Sequence, residues 1–209
     1  MSLLTVVHVS GIVSLAEARY CAGMGVELLG FCLDPHHPAY VDPARFREIR
    51  GWLAGVLVVG ETSQTHPAQI QSLLDTYQPD YLQLDDVSLL PAPGTLGIPL
   101  VLRVNLANDE PGTLPDRLRA LARAPLSAQD YLLLDGLPPQ PDAALMATLR
   151  DLVAQHKLLL RATTPAETRF WLDNLPGSGI ALAGSLQTDP DSGGFDALMD
   201  VLEGLEAEG

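Results

Sequence analysis

The stretch VVHVSGIVSLAEA, Val6–Ala18, decides how the rest of the chain is read. Its first half is a valine-rich run broken only by His8. Ser10-Gly11 then turns the chain. Ser14 precedes LAEA, with Glu17 three residues on, which is the spacing of a capping box at a helix start. A buried strand that passes at once into a helix is one βα unit, and its polar tip is Ser10.

Working outward, the same unit recurs. Apolar runs over Leu3–Val9, Val26–Leu33, Val56–Val59, Tyr81–Leu84, Pro99–Val104, Tyr131–Leu134, Lys157–Leu160 and Ile180–Ala183 read as strands. Helical patterns follow over Ser14–Met24, Asp42–Leu53, Pro67–Tyr77, Leu114–Ala124, Asp142–Gln155, Pro165–Asn174 and Phe195–Glu206. A short helical turn is predicted at Val87–Leu90. Most of the strands are continuous rather than alternating, the pattern of strands covered on both faces. Asp42-Pro43 and Thr164-Pro165 put proline at the first helical position, where its missing N–H is an orphan anyway. Eight such units in 209 residues, with no linker or composition break, predict an α/β fold: a single (β/α)8 TIM barrel domain over residues 1–209. The alternative is an open doubly wound sheet. That fold usually carries GxGxxG after its first strand, and SGIVSLAEA lacks it.

Charge and composition narrow the partners. A formal charge of −14 argues against nucleic acid, whose phosphates demand basic patches. No apolar run reaches membrane-spanning length, and MSLLTVVHVS has no basic leader region, so a cytoplasmic protein without membrane contact is expected. Cys21 and Cys32 fall in a helix and a strand and read as small buried hydrophobes rather than a disulfide. Adjacent histidines in Asp34-Pro35-His36-His37 project in different directions, whereas zinc gathers three or four ligands, so no metal and no cofactor is expected. Trp52 and Trp171 read as packing in the helical layer.

In a barrel of this kind the chemistry sits at the C-terminal ends of the strands. Those ends carry Ser10, Asp34, Glu61, Asp85 with Asp86, Arg103 with Asn105, Asp135, Arg161, and Gly184 with Ser185. The ends of the seventh and eighth strands are the usual phosphate corner of the fold. Here they read RATTPAE and LAGSLQ. Gly184, Ser185 and the helix start after Thr164 can offer backbone N–H groups to an anion, and Arg161 can add a forked donor.

At these residues the chain resembles the phosphoribosylanthranilate isomerases of tryptophan biosynthesis. VHVSGIVSLAEARYCAGMGVELLGFCLDPHHPAYVDPARFREI resembles that family's opening, a K-I-C-G-I strand end through a G-F strand to a loop ending in R-Y. PDYLQLDD resembles its Q-L-H-G strand end, YLLLDG the strand end bearing its catalytic aspartate, and LAGSLQTDPDSGGFDALMDVL its last strand, phosphate turn and final helix. The resemblance covers nearly the whole chain and is weakest over Pro91–Pro125. It implies an Amadori rearrangement: a phosphorylated aminoaldose opens its ring and becomes an aminoketose, with an aspartate as general acid and a cysteine as general base. Asp135 matches the acid, Gln83 the glutamine of Q-L-H-G, and Gly184 a glycine of the phosphate turn.

The departures are as informative. Ser10 stands where the cysteine is usual, His8 where lysine is usual, Ala39 where an arginine would hold the anthranilate carboxylate, and Asp85 where Q-L-H-G has histidine. GLPPQPDAA replaces a Gly-rich segment after the sixth strand, and Arg161-Ala162 replaces a Gly-Gly pair. A serine hydroxyl is too weak a base near neutral pH unless another base activates it. His8, two residues back on the same strand, shares the face of Ser10 and is the candidate activator, or a base in its own right. The expected site is therefore Asp135, Ser10 and His8 for catalysis, with Gln83, Asp85, Arg103, Arg161, Gly184 and Ser185 for a small phosphorylated metabolite. Activity is expected to be impaired or shifted. A non-catalytic barrel serving as a small-ligand binding or regulatory module is the alternative, and an enzyme for a less acidic sugar derivative is a third reading. Monomer and homodimer are both open.

Overall fold

The structure, a computed structural model, describes residues 3–85, 96–185 and 194–207. Its strands are β1 (Val7–Ser10), β2 (Leu28–Cys32), β3 (Leu57–Thr62), β4 (Tyr81–Leu84), β5 (Leu100–Asn105), β6 (Tyr131–Asp135), β7 (Lys157–Arg161) and β8 (Gly179–Ala183). Each pairs in parallel with the next, and β8 pairs with β1, setting Val7 opposite Ile180 and Ser10 opposite Ala183. The sheet is a closed barrel in sequence order, as the eight repeated units predict. The described helices are α1 (Leu15–Met24), α2 (Pro43–Arg50), α3 (Pro67–Tyr77), α4 (Leu114–Leu121), α5 (Ala143–Gln155), α6 (Pro165–Asn174) and α7 (Gly194–Glu203). Asp86 and the turn predicted at Val87–Leu90 lie outside the described residues.

The continuous apolar runs divide by strand periodicity. Val7, Val9, Leu29, Phe31, Leu102, Val104, Leu132, Leu134, Leu158 and Leu160 belong to the large core formed with the helices. Leu28, Val59, Tyr81, Val101, Tyr131, Leu133, Leu159 and Ala181 form a separate buried cluster inside the barrel. Stepping two residues along each strand from that inner layer gives Gly30, Glu61, Gln83, Arg103, Asp135 and Arg161. The interior thus changes from apolar to ionisable within one or two side-chain layers, and the second set marks the mouth.

Helix starts follow the sequence signals, with one difference. Ser14 Oγ accepts the Glu17 N–H at 3.2 Å, and Asp42 and Thr164 cap α2 and α6 in the same way. The return half of the capping box is not made: Glu17 is buried against β8, and its Oε1 accepts the Ser185 N–H at 2.7 Å instead. β1 begins at Val7, not Leu3, because Leu3 and Leu4 run beside Leu205 and Glu206. α2 ends at Arg50, which leaves Trp52 off the helix and 65% exposed, with Arg19 5.8 Å from the centre of its ring. The expectation that Trp52 packs in the helical layer is therefore corrected; Trp171 is buried as expected.

After β6 the chain turns on Gly136 at φ +79°, where a Cβ would lie 2.5 Å from the Ala107 nitrogen. Both the left-handed backbone and the close approach require glycine. Gly136→Ala is expected to destabilise the barrel by about 2 kcal/mol or more. Urea unfolding checks this; an unchanged midpoint would show that the turn relaxes freely.

Candidate active site

A cavity of about 110 Å³ opens at the C-terminal ends of the strands. Ser10, Cys32, Asp34, Glu61, Gln83, Asp85, Arg103 and Arg161 line it, with His37, Thr62 and Ser63. Of the residues expected from sequence, Ser10, Gln83, Asp85, Arg103 and Arg161 therefore come together. Asp135, His8, Gly184 and Ser185 are not in its wall.

Asp135 ends β6 and holds the two arginines. Its Oδ2 accepts Arg103 Nη2 at 2.7 Å and Nε at 3.2 Å, and lies 3.7 Å from Arg161 Nε. Arg103 Nη1 also reaches Asp85 Oδ2 at 3.4 Å. Burial raises the Asp85 carboxyl, with Arg103 opposing. Asp34 is braced by Thr62 Oγ1 at 2.6 Å and by the Ser63 N–H and Oγ at 2.7 Å. Burial works to raise Asp34 too, but these donors outweigh it and hold the carboxyl below its ordinary range. Gln83 is buried, and its Oε1 has no hydrogen-bond partner.

Ser10 Oγ donates to the Leu182 carbonyl at 3.1 Å and accepts from Arg161 Nη1 at 3.1 Å. That arrangement gives the hydroxyl proton a carbonyl acceptor. His8 lies one layer deeper with no exposure, and neither ring nitrogen has a hydrogen-bond partner. Burial, helped by the charge of Arg161, lowers its imidazole to about 3. The histidine therefore makes no bond that would activate Ser10, and the expected relay between them is corrected.

The side chain that sequence reading placed at a strand end without a role is Glu61. Its Oε2 accepts the Gly11 N–H at 3.1 Å, beside Ser10, and its Oε1 lies 3.7 Å from His8 Nε2. Burial raises this carboxyl to about 7, against the pull of Arg161, the Gly11 N–H and Arg103. The distance to His8 is that of an ion pair, but an imidazole lowered to about 3 is uncharged near neutrality, so the contact is not a salt bridge. The signal was legible: Glu61 is two residues past Val59 on an inward-facing register. The thiol in the cavity wall, Cys32, is pushed by burial up to about 11, away from the range of a neutral-pH base.

At the phosphate corner the expected donors are engaged within the protein. The Gly184 N–H donates to the Ser10 carbonyl at 2.7 Å and the Ser185 N–H to Glu17. Thr163 N–H and Oγ1 both donate to Glu167 Oε2 at 2.7 Å. Arg161 is turned to Ser10 and Asp135. The reason is local: β7 ends in Arg161-Ala162, and Glu167 in the first turn of α6 folds back over the loop. Among the described residues no group of three His, Cys, Asp or Glu side chains is placed to hold a metal ion, and no helix is long and apolar enough to cross a membrane.

Fold and cavity together define an eight-stranded α/β barrel with one ionisable site at the C-terminal mouth. No family model matches the chain. It is 29% identical over 199 residues to an N-(5'-phosphoribosyl)anthranilate isomerase of Rubrobacter xylanophilus, covering 88% of this chain and 90% of that one. A dimeric phosphoribosylanthranilate isomerase of Thermotoga maritima, solved as monomers, superposes with a TM-score of 0.73 at 19% identity, over 97% of this chain and 98% of that one. A phosphoribosylanthranilate isomerase solved with reduced 1-(o-carboxyphenylamino)-1-deoxyribulose 5-phosphate gives the same values. Over most of its length the chain is similar in sequence to a phosphoribosylanthranilate isomerase and shares that enzyme's barrel fold.

Proposed function

We propose that this chain is an aldose–ketose isomerase of the phosphoribosylanthranilate isomerase type, carrying out an Amadori rearrangement with a site that has shifted from the usual one. The observation that supports it best is the convergence of Ser10, Gln83, Arg103 and Arg161 on one cavity, with Asp135 bound to both arginines behind it. Asp135 is the acid for ring opening. Released from the arginines, its carboxylate takes up a proton from solvent and gives it to the ring oxygen as the C1–O bond breaks, and the nitrogen lone pair closes the iminium. Arg103 and Arg161 are the cations available to the substrate's anionic groups. A ligand anion that draws them off Asp135 uncovers that carboxyl. Ala39 supplies no guanidinium, and Asp85 adds negative charge, so turnover is expected to be slow.

The test is direct. Purified protein is given freshly made N-(5'-phosphoribosyl)anthranilate and the loss of anthranilate fluorescence is followed. Measurable first-order turnover above the uncatalysed decay is the expected result. No turnover by the natural chain or by Ser10→Cys would overturn the reading and leave the barrel as a binding or regulatory module.

A further inference from the structure

Glu61 belongs to β3, yet its carboxylate bonds the backbone of Gly11, just past the end of β1. The strand between them, β2, is crossed at Gly30. A Cβ there would lie 2.0 Å from Glu61 Oε1, 2.7 Å from its Cδ and 3.0 Å from His8 Nε2. No side chain other than hydrogen leaves that passage open. The carboxylate thus reaches across β2 to the neighbourhood of Ser10 while its own side chain forms part of the cavity wall. Its Oε1 is buried and has no hydrogen-bond partner.

We infer that Glu61 is the general base of this chain, taking from the substrate the proton that a side chain at position 10 would otherwise take. The inference rests on the isomerase reading above. In the step, the Glu61 carboxylate removes the C2 proton of the ring-opened iminium. The C–H electron pair becomes the C1=C2 bond, and the C1=N pair returns to nitrogen. The resulting enaminol takes a proton at C1 and releases one from its hydroxyl oxygen, giving the aminoketose with no oxidant or reductant.

The surroundings fit the role. Ser10 has its proton on a carbonyl, and burial holds the Cys32 thiol out of range. The charged and titratable groups facing Glu61 are His8 on β1, Cys32 and Asp34 by β2, Asp85 past β4, Arg103 on β5 and Arg161 on β7. Of these, Arg161 and Arg103 favour the carboxylate and Asp85 opposes it, while burial dominates. A carboxylate displaced upward in this way is a stronger base than an exposed one and remains partly ionised near neutrality.

Glu61→Gln keeps the shape and an acceptor for the Gly11 N–H but accepts no proton from carbon. Relative to the natural chain, kcat is expected to fall about 100-fold or more, with KM within about threefold. The natural chain is expected to show a rising limb of kcat near pH 7, and Glu61→Gln is expected to lack it. Glu61→Asp, which keeps the carboxyl but withdraws it from Gly11, is expected to retain a pH limb at intermediate rate. If the natural chain turns over and Glu61→Gln, folded by circular dichroism, retains its rate and pH profile, the assignment is overturned and the isomerase reading stands. If neither the natural chain nor Ser10→Cys turns over, the isomerase reading fails and takes the assignment with it; turnover by Ser10→Cys alone overturns the assignment and leaves that reading standing.

Discussion

Asp135→Asn is expected to lower kcat for isomerisation by about 10²–10⁴-fold, the range for loss of a positioned general acid. Asparagine cannot protonate the ring oxygen, so the loss falls on ring opening. A second effect follows from the ion pairs. Asp135 Oδ2 lies between two guanidinium groups that repel each other, and Arg161 is lowered by its burial, with Arg103 adding to that effect. Removing the anion leaves both cations facing one another. The variant should therefore unfold at lower urea than the natural chain as well as react more slowly. Kinetics measured well below the unfolding transition separate the two. A variant that is destabilised but keeps its kcat would make Asp135 a structural anchor for the arginines and not the acid.

Glu61→Gln is expected to stabilise the folded chain, by an amount that grows with pH. The Glu61 carboxyl sits at about 7 in the fold against 4.5 ordinarily. At about pH 4 it is neutral in both states and costs nothing extra. Between these values the unfolded chain releases the proton while the folded chain keeps it, so stability falls as pH rises. Above about pH 7 the full cost of the buried anion is present, on the order of 3 kcal/mol. His8 acts in the opposite sense: its stability contribution is lost as pH falls from 6.5 toward about 3. Both proteins carry His8, so the difference between them isolates Glu61. Chemical unfolding at about pH 4, 6 and 8 should show the two proteins together at the lowest value and apart at the highest. Parallel curves would mean that Glu61 titrates as an exposed carboxyl.

The barrel was legible because its determinants are local. Each apolar run carries a buried strand, each cap starts a helix, and eight repeats in order close a ring. Strand-end residues such as Ser10, Arg103 and Arg161 were legible for the same reason, since alternation along a strand places them. What was not legible depends on pairs distant in the chain. Glu17 matches a capping-box signal, but the turn just past β8 lies beside it, and Ser185 takes the carboxylate. Gly184 and Ser185 looked like donors to an anion, yet the Ser10 carbonyl and Glu17 reach them first. His8 faces the right way, as the two-residue period says, but one layer too deep to gain a partner. The passage of Glu61 over Gly30 joins three strands, and no single stretch of sequence announces it. Trp52 failed for a simpler reason: α2 stops two residues short of it.

The seam between β1 and β8 has a consequence for how the chain comes to exist at all. The Ser10 hydroxyl meets the Leu182 carbonyl across 172 positions of sequence. Until β8 has been made, β1 keeps a bare edge of amides and carbonyls, an open template for any other extended chain. Contacts so remote assemble slowly, because a long loop must be closed before they form. A newly made copy therefore spends its most vulnerable interval as an unsealed arc. Substitutions that weaken β8, at Ile180 or Leu182, would lengthen that interval and lower the yield of soluble protein before they altered any property of the finished ring.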